Sequence, residues 1–194
     1  MTSSRCTSLK RVCLGLLLLA GSILAGGCVP AVTLLAIDVI RDEREPRAYW
    51  QDNKAEMDIR FSIYRNKTIS DTNVSVTIWN SVVLLTGEVP DQQAIDRILD
   101  IAKSHHYTRQ VVNRIELAGR TNVASRGNDS WLTGRVKTAL VVSGTVDPTR
   151  FKVVTERANV YLMGLVTSAE ATEAVLIVRS VPGVVRVIKV FEYL

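Results

Sequence analysis

The same pattern of residues occurs twice along the chain, and this repeat is the feature that most constrains its fold. The strings VSVTIWNSVVLLTGEV and FKVVTERANVYLMGLV align without a gap, and Gly87 then pairs with Gly164, 77 positions further on. The similarity extends over roughly fifty positions, which a tandem duplication explains better than chance. Each copy has about 65 residues, close to the lower limit for a domain that folds alone. The paired glycines lie inside predicted strands, where they indicate a bulge or a close backbone contact.

Within each copy, the spacing of the apolar residues changes in a fixed order. Helical spacing comes first, and two alternating stretches follow around a tight turn, at Asn80–Ser81 in the first copy and at 157–159 in the second. Helical spacing then returns, and a final strand closes each copy at Arg109–Leu117 and Val184–Tyr193. The order predicts an α+β unit of helix, strand, strand, helix and strand. One small three-stranded sheet is then packed on two helices.

Several polar residues are placed where a helix would begin. Asp91 precedes the second helix of the first copy, and Thr167 with Glu170 fits a capping box in the second copy. Asp129 and Ser130 precede the first apolar residues of the second copy and are predicted to cap its first helix.

The amino-terminal segment predicts export and lipidation. Arg5, Lys10 and Arg11 precede a short apolar run that ends in small residues, which is typical of a secretory signal peptide. The ending LAGGC resembles a bacterial lipobox, in which Cys28 would receive the lipid. The run is short of the ~20 apolar residues that a membrane span requires. The predicted organisation is signal peptide 1–27, lipidated tether 28–53, first domain 54–118, linker 119–128 and second domain 129–194.

Charge and cysteine content limit the classes of function. Removal of residues 1–27 takes away three cations and no acid, which lowers the formal net charge from +5 to +2. The chain is therefore not a globally basic nucleic-acid binder, and an anionic partner must be met by a local patch. Cys6 and Cys13 lie in the predicted signal peptide, so Cys28 remains alone and no internal disulfide is expected.

Residues 129–142, DSWLTGRVKTALVV, predict an amphipathic helix with an unusual outer face. Leu132, Val136 and Leu140 form an apolar stripe at helical spacing. A second stripe combines a Trp with two cations, which is typical of a helix that lies at a lipid headgroup layer. Its members are Trp131, Gly134, Arg135, Lys137, Thr138 and Val141. In the alternative interpretation, Trp131 packs onto its own domain and the cations form a solvated face.

Other candidate sites have simpler interpretations. His105 and His106 are adjacent, and neighbouring side chains diverge too far to chelate a metal without other ligands. Asp91 and Asp96 are interpreted as a cap and a surface residue rather than an acid–base pair. The chain has no G-x-S-x-G nucleophile motif and no glycine-rich nucleotide loop, so we expect neither catalysis nor a cofactor. Trp50 and Trp79 lack comparable cationic neighbours and are predicted to be packing residues.

The residues resemble a known domain family. The α-β-β-α-β order, the VYLMGLV strand, the TSAEA helix start and the VPGVVRV approach to the last strand resemble a BON domain. Two such domains behind a lipidation motif resemble the dual-BON outer-membrane lipoproteins. Because Val29 rather than Asp follows Cys28, the resemblance to enterobacterial lipoproteins implies delivery to the outer membrane.

The resemblance also carries expectations about function. Proteins of this type are non-enzymatic. We expect this chain to face the periplasm. Proteins of this type bind anionic phospholipids through the first helix of the second BON domain, and for this chain we expect phosphatidylglycerol or cardiolipin. These proteins support outer-membrane integrity and are linked to the division site and to the outer-membrane protein assembly machinery. In the alternative, the chain is an adaptor for that machinery and lipid contact is incidental.

Overall fold

The computed structural model describes residues 46–119 and 123–194. The predicted signal peptide, Cys28 and most of the predicted tether lie outside the described residues. Among the helices of the described residues, none combines the length and the apolar character that a membrane crossing requires.

The first domain has the predicted order of elements. They are α1 (Pro46–Arg65), β1 (Asn73–Trp79), β2 (Val82–Val89), α2 (Gln92–Ser104) and β3 (Gln110–Leu117). Strand β2 lies in the centre of the sheet, antiparallel to β1 and parallel to β3.

The second domain repeats this topology. Its elements are α3 (Val123–Ser143), a 3-10 turn (Pro148–Arg150), β4 (Lys152–Glu156), β5 (Asn159–Val166), α4 (Ser168–Ser180) and β6 (Arg186–Tyr193). Strand β5 is central, antiparallel to β4 and parallel to β6. The predicted α+β fold of two tandem units, each with a three-stranded sheet on two helices, is confirmed.

Each domain has its own apolar core between its helices and one face of its sheet. In the first domain, Ile59 and Ile98 pack on Val83 and Leu85. In the second, the predicted stripe of Leu132, Val136 and Leu140 packs on the equivalent strand residues and is almost fully buried. Both helix starts are also confirmed. Asp91 accepts a hydrogen bond from the backbone N–H of Ala94, and Thr167 forms a capping box with Glu170.

The first helix of the second domain starts earlier than predicted. It begins at Val123, so positions 123–128 of the predicted linker are helical, and the prediction that Asp129 and Ser130 cap the helix start is wrong. Asp129 lies inside the helix and is buried. Its carboxylate accepts hydrogen bonds from the backbone N–H groups of Arg157 (2.9 Å) and Ala158 (2.8 Å) in the β4–β5 turn. The side chain satisfies the donors of a neighbouring hairpin instead of its own helix.

The first domain uses the same device. Asp52 on α1 accepts hydrogen bonds from the backbone N–H groups of Asn80 (2.8 Å) and Ser81 (3.0 Å). The two central residues of each hairpin turn have positive φ, as a tight two-residue turn between twisted strands requires. A buried aspartate therefore ties the first helix of each domain to its first hairpin.

The paired glycines allow the close backbone contacts that were predicted. A Cβ atom on Gly87 would overlap the carbonyl oxygen of Asn73, and one on Gly164 would overlap that of Arg150. Gly87 also has a φ of +115°, a backbone conformation that residues with a side chain rarely adopt.

The two sheets pack face to face. An apolar cluster between them contains Trp79, Val82 and Leu84 of the first domain and Tyr161 and Met163 of the second. Trp79 is therefore a packing residue, as predicted. Since each sheet carries its helices on its other face, the molecule is layered as helices, sheet, sheet and helices. Helices α1 and α3 thus lie on opposite outer sides.

Polar contacts join the domains at the edge of this apolar cluster. The Arg157 guanidinium contacts Glu88 (3.1 Å) and Glu116 (2.7 Å) of the first domain. The amide of Asn80 donates to Glu192 of the second domain (3.0 Å), which also pairs with Arg109. Because Asn80 and Arg157 occupy equivalent turn positions, the interface has approximate twofold symmetry.

Candidate functional site

The candidate site lies on the outer face of α3. Because successive helical residues are rotated by about 100°, the buried stripe leaves Trp131 on the opposite side. Trp131 is 58% exposed, so the alternative interpretation in which its indole packs onto its own domain is wrong. An exposed Trp on a helix with a complete core face has no structural role within that core.

An arginine is held against this indole. The Arg135 guanidinium carbon lies 4.8 Å from the centroid of the Trp131 ring, within the range of a cation–π contact. Arg135 Nη1 donates a hydrogen bond to the carbonyl oxygen of Pro182 at 3.1 Å, in the turn after α4. A guanidinium has five N–H donors, so one such bond positions the group and leaves donors for an anion.

A shallow groove runs between α3 and the end of α4. It brings together four of the six predicted residues, Trp131, Gly134, Arg135 and Thr138, along one wall. Val142 lines the same groove and is 77% exposed. Sequence reasoning missed Val142, although its position eleven residues after Trp131 places it about 20° from the indole on a helical wheel.

The other two predicted residues lie on the flank of the helix. Lys137 and Val141 are exposed but do not line the groove. Helical geometry places them about 120° and 80° from Trp131. They can meet a flat surface that extends past the groove, but they cannot surround the same small ligand as Trp131.

Two small residues shape the middle of this face. Gly134 has open space where a Cβ would lie, so it leaves a flat area beside Trp131. The hydroxyl of Thr138 donates to the carbonyl oxygen of Gly134 at 2.9 Å, which satisfies it within the helix. Thr138 therefore presents its methyl side more readily than its hydroxyl.

The face is electropositive. Among the described side chains of α3, residues 126–143, the single acid is Asp129, which is buried and bonded to the β4–β5 turn. Arg135 and Lys137 are therefore not opposed by an exposed acid on their own helix. The arrangement can hold an apolar surface and an anionic group side by side.

The two histidines lie in a different place. Their rings are 4.7 Å apart, and His105 Nε2 lies 3.7 Å from Asp58. In the described ranges, no three His, Cys, Asp or Glu side chains are grouped so that they could hold a metal ion.

Sequence reasoning also missed a carboxyl group with an unusual pKa. Burial, followed by the nearby charges of Glu88 and Asp129, raises the pKa of Glu156 to about 7, and Arg157 lowers it only in part. The group lies near the domain interface rather than the α3 face. It bears on stability rather than on the candidate site.

Comparison with known proteins identifies the family. Residues 51–119 and 128–194 each match the BON domain. The chain is 33% identical over 182 residues to the outer membrane lipoprotein DolP of Haemophilus influenzae, a match that covers 92% of this chain and 94% of that protein. The chain belongs to the DolP family of dual-BON outer-membrane lipoproteins. The expectation of two BON domains in an outer-membrane lipoprotein is thereby confirmed.

Two further likenesses are weaker. The chain is 28% identical over 153 residues to the 21 kDa hemolysin of Actinobacillus pleuropneumoniae, covering 78% of this chain and 79% of that protein. Neither this relative nor DolP is named as an enzyme. The other likeness is to the solved C-terminal domain of CdsD, a structural protein of the type III secretion system of Chlamydia trachomatis. The match covers 71% of this chain and 96% of the CdsD chain, at 12% sequence identity. Its TM-score of 0.30 is too low to support an argument.

Proposed function

We propose that this DolP-family protein binds anionic phospholipid, either phosphatidylglycerol or cardiolipin, through the outer face of α3. The observation that carries the proposal is the exposed Trp131 indole with the Arg135 guanidinium stacked against it. Indole prefers the membrane interface because its ring is apolar while its N–H seeks a polar partner. The guanidinium beside it would meet the phosphate of the same headgroup layer.

The expected energy suits a protein that is already at the membrane. Burial of Trp131 would contribute roughly 1.5–3 kcal/mol. Each cation near an anionic surface adds about 1 kcal/mol, and Arg135 and Lys137 both qualify. The sum of a few kcal/mol is weak for a free protein. It is enough to orient a lipoprotein and to make it favour one lipid composition over another.

In the same proposal, acyl chains on Cys28 hold the protein to the periplasmic side of the outer membrane. Several chains anchor firmly, because each buried methylene adds about 0.8 kcal/mol. The α3 face would then concentrate the protein where anionic lipid is enriched, including the division site, and so support outer-membrane integrity. The first domain would serve as the scaffold that supports the second.

Vesicle binding tests the proposal. The three apolar clusters found among the described residues are made up of residues within 46–194, so we expect this unlipidated fragment to fold. We expect it to bind phosphatidylglycerol vesicles more tightly than neutral ones. Trp131→Ala should weaken its affinity for phosphatidylglycerol vesicles at least tenfold. Leu117→Ala is a matched control, since Leu117 is also 58% exposed but lies on strand β3 of the first domain rather than on α3. Equal binding by wild type and Trp131→Ala at every lipid charge would refute the proposal.

The adaptor alternative predicts a different result. A protein of the outer-membrane assembly machinery would be captured regardless of lipid charge, and replacement of Arg135 or Lys137 would abolish that capture. Vesicle binding would then be weak and insensitive to Trp131.

A further inference from the structure

A second exposed stripe lies on α1, in the domain that has no predicted site. Trp50, Met57, Phe61 and Tyr64 are 61%, 69%, 57% and 85% exposed. The prediction that Trp50 is a packing residue is therefore wrong. Spacings of seven, four and three residues place the four side chains within about 60° of one another along roughly 20 Å of helix. The buried residues of α1 lie on the opposite side, so this α1 stripe points away from the core.

Cations border the α1 stripe. Helical geometry places Arg47, Lys54 and Arg65 along one side of it, and the Arg65 guanidinium carbon lies 5.3 Å from the centroid of the Phe61 ring. The spacing of this aromatic–arginine pair, four residues, is the spacing of Trp131 and Arg135 on α3.

The two half-buried acids of α1 are already paired. Glu56 accepts from Arg60 at 2.8 Å, and Asp58 accepts from Lys54 at 3.0 Å. The Lys54 and His105 contacts hold the pKa of the Asp58 carboxyl below its usual value, so it stays ionised and neutralised by its own helix. The charges of Lys54 and Arg60 are used in these same pairs. Among the described side chains of α1, Arg47 and Arg65 are then the cations beside the aromatic residues, and this surface is cationic and apolar.

We propose that the α1 stripe is a second lipid-binding face, which takes the headgroup layer of an anionic membrane. A second copy of the chain is a poorer occupant, because α1 packed on α1 would bring two sets of cations together. An anionic membrane satisfies both the aromatic and the cationic side chains. The seventeen residues between Cys28 and Pro46 span at most about 60 Å, so a lipid anchor at Cys28 would keep α1 close to a bilayer.

The two faces cannot lie on one flat membrane together. The sheets pack face to face, so α1 and α3 lie on opposite outer sides of the molecule. A protein with both faces active joins two bilayers, whereas a protein with one active face coats a single bilayer. This inference does not rest on lipid binding by α3, and the two are tested separately.

The first experiment measures binding and clustering of phosphatidylglycerol vesicles by the 46–194 protein. Phe61→Ser with Tyr64→Ser removes the α1 face, and Trp131→Ala removes the α3 face. All three side chains are exposed, so we expect the variants to fold, which circular dichroism checks. We expect the wild type to cluster vesicles. We expect each single-face variant to bind without clustering, and the combined variant to bind at least tenfold more weakly than either.

The outcomes separate the two proposals. Loss of all binding in Trp131→Ala, with no effect of the α1 changes, would overturn the α1 inference and leave the α3 proposal standing. Loss of all binding in the α1 variant, with no effect of Trp131→Ala, would support α1 and refute α3. An absence of binding in every protein would overturn both.

A second measurement distinguishes lipid contact from dimerisation through α1. The chain has three Trp residues, of which Trp79 is buried between the sheets. In the Trp131→Phe protein, we expect brominated phosphatidylglycerol to quench Trp50 while Trp79 gives a constant background. Clustering without quenching of Trp50 would show that α1 joins protein copies, and would overturn the inference.

Discussion

The buried carboxylate of Asp129 should be a main determinant of how firmly α3 is held on its domain. It accepts hydrogen bonds from the backbone N–H groups of both central residues of the β4–β5 turn. The N–O distances are 2.9 Å for Arg157 and 2.8 Å for Ala158. Asp129→Ala leaves both donors without this acceptor. Loss of a buried partner costs about 1–3 kcal/mol for each donor. Because the turn is partly exposed, water replaces some of the bonding, and we expect a loss of about 2 kcal/mol in the free energy of unfolding.

Urea denaturation at neutral pH, followed by circular dichroism, measures this loss. Asp52→Ala is a matched variant, because Asp52 makes the equivalent pair of bonds in the first domain. Asp129→Asn keeps one acceptor oxygen and should fall between wild type and Asp129→Ala. A change below about 0.5 kcal/mol in Asp129→Ala would refute the argument, since a surface carboxylate gives that result.

Three further changes have defined outcomes. The pKa of Glu156 is raised to about 7 from 4.5, so its contribution to the stability of the fold is fully present below pH 4.5 and is lost as the pH rises through 7. After solvent screening, the free energy of unfolding should fall by about 1 kcal/mol between pH 5 and pH 8 for this reason. Glu156→Gln should remove this pH dependence when unfolding is measured at both pH values. Gly87→Ala should lower the melting temperature strongly, because its Cβ would overlap the backbone of β1, whereas Gly134→Ala should raise it slightly, since open space surrounds that helical position. Arg157→Ala should destabilise by about 2–3 kcal/mol in the same denaturation assay, because it removes the guanidinium that lies 3.1 Å from the buried Glu88 carboxylate. No change would mean that the interdomain pair is energetically neutral.

Much of the fold could be predicted because its signals are local. The order of elements follows from spacing within each copy, and the Asn80–Ser81 turn and the Thr167 capping box involve residues at most three positions apart. The error at Asp129 has the opposite cause. Its position near a helix start suggested a cap, but its partners are 28 and 29 residues away. The sequence pattern carries no sign of that contact.

The candidate site was partly predictable for a similar reason. Helical spacing indicates which residues share a face, so it placed Trp131 opposite the core stripe and could also have included Val142. It does not indicate whether another element covers that face. Trp50 and Trp79 were given the same interpretation, yet Trp50 is exposed and Trp79 is buried between the sheets. The difference is made by the packing of the domains, not by the neighbours of either residue in the chain.

By itself, the sequence determined the duplication, the α-β-β-α-β order and the face of each helix that enters its own core. These follow from repeated spacing of apolar residues and from the short reach of turns and caps. Only the tertiary structure decided that the outer faces of the two sheets pack against each other, which buries β2 along its whole length and sends α1 and α3 to opposite sides. The runs VVLLTGEV and VYLMGLV are more continuous in apolar residues than a strand with one solvated face requires. That excess shows that a second surface is covered, but its partner is set by the three-dimensional match between two sheets far apart in the chain.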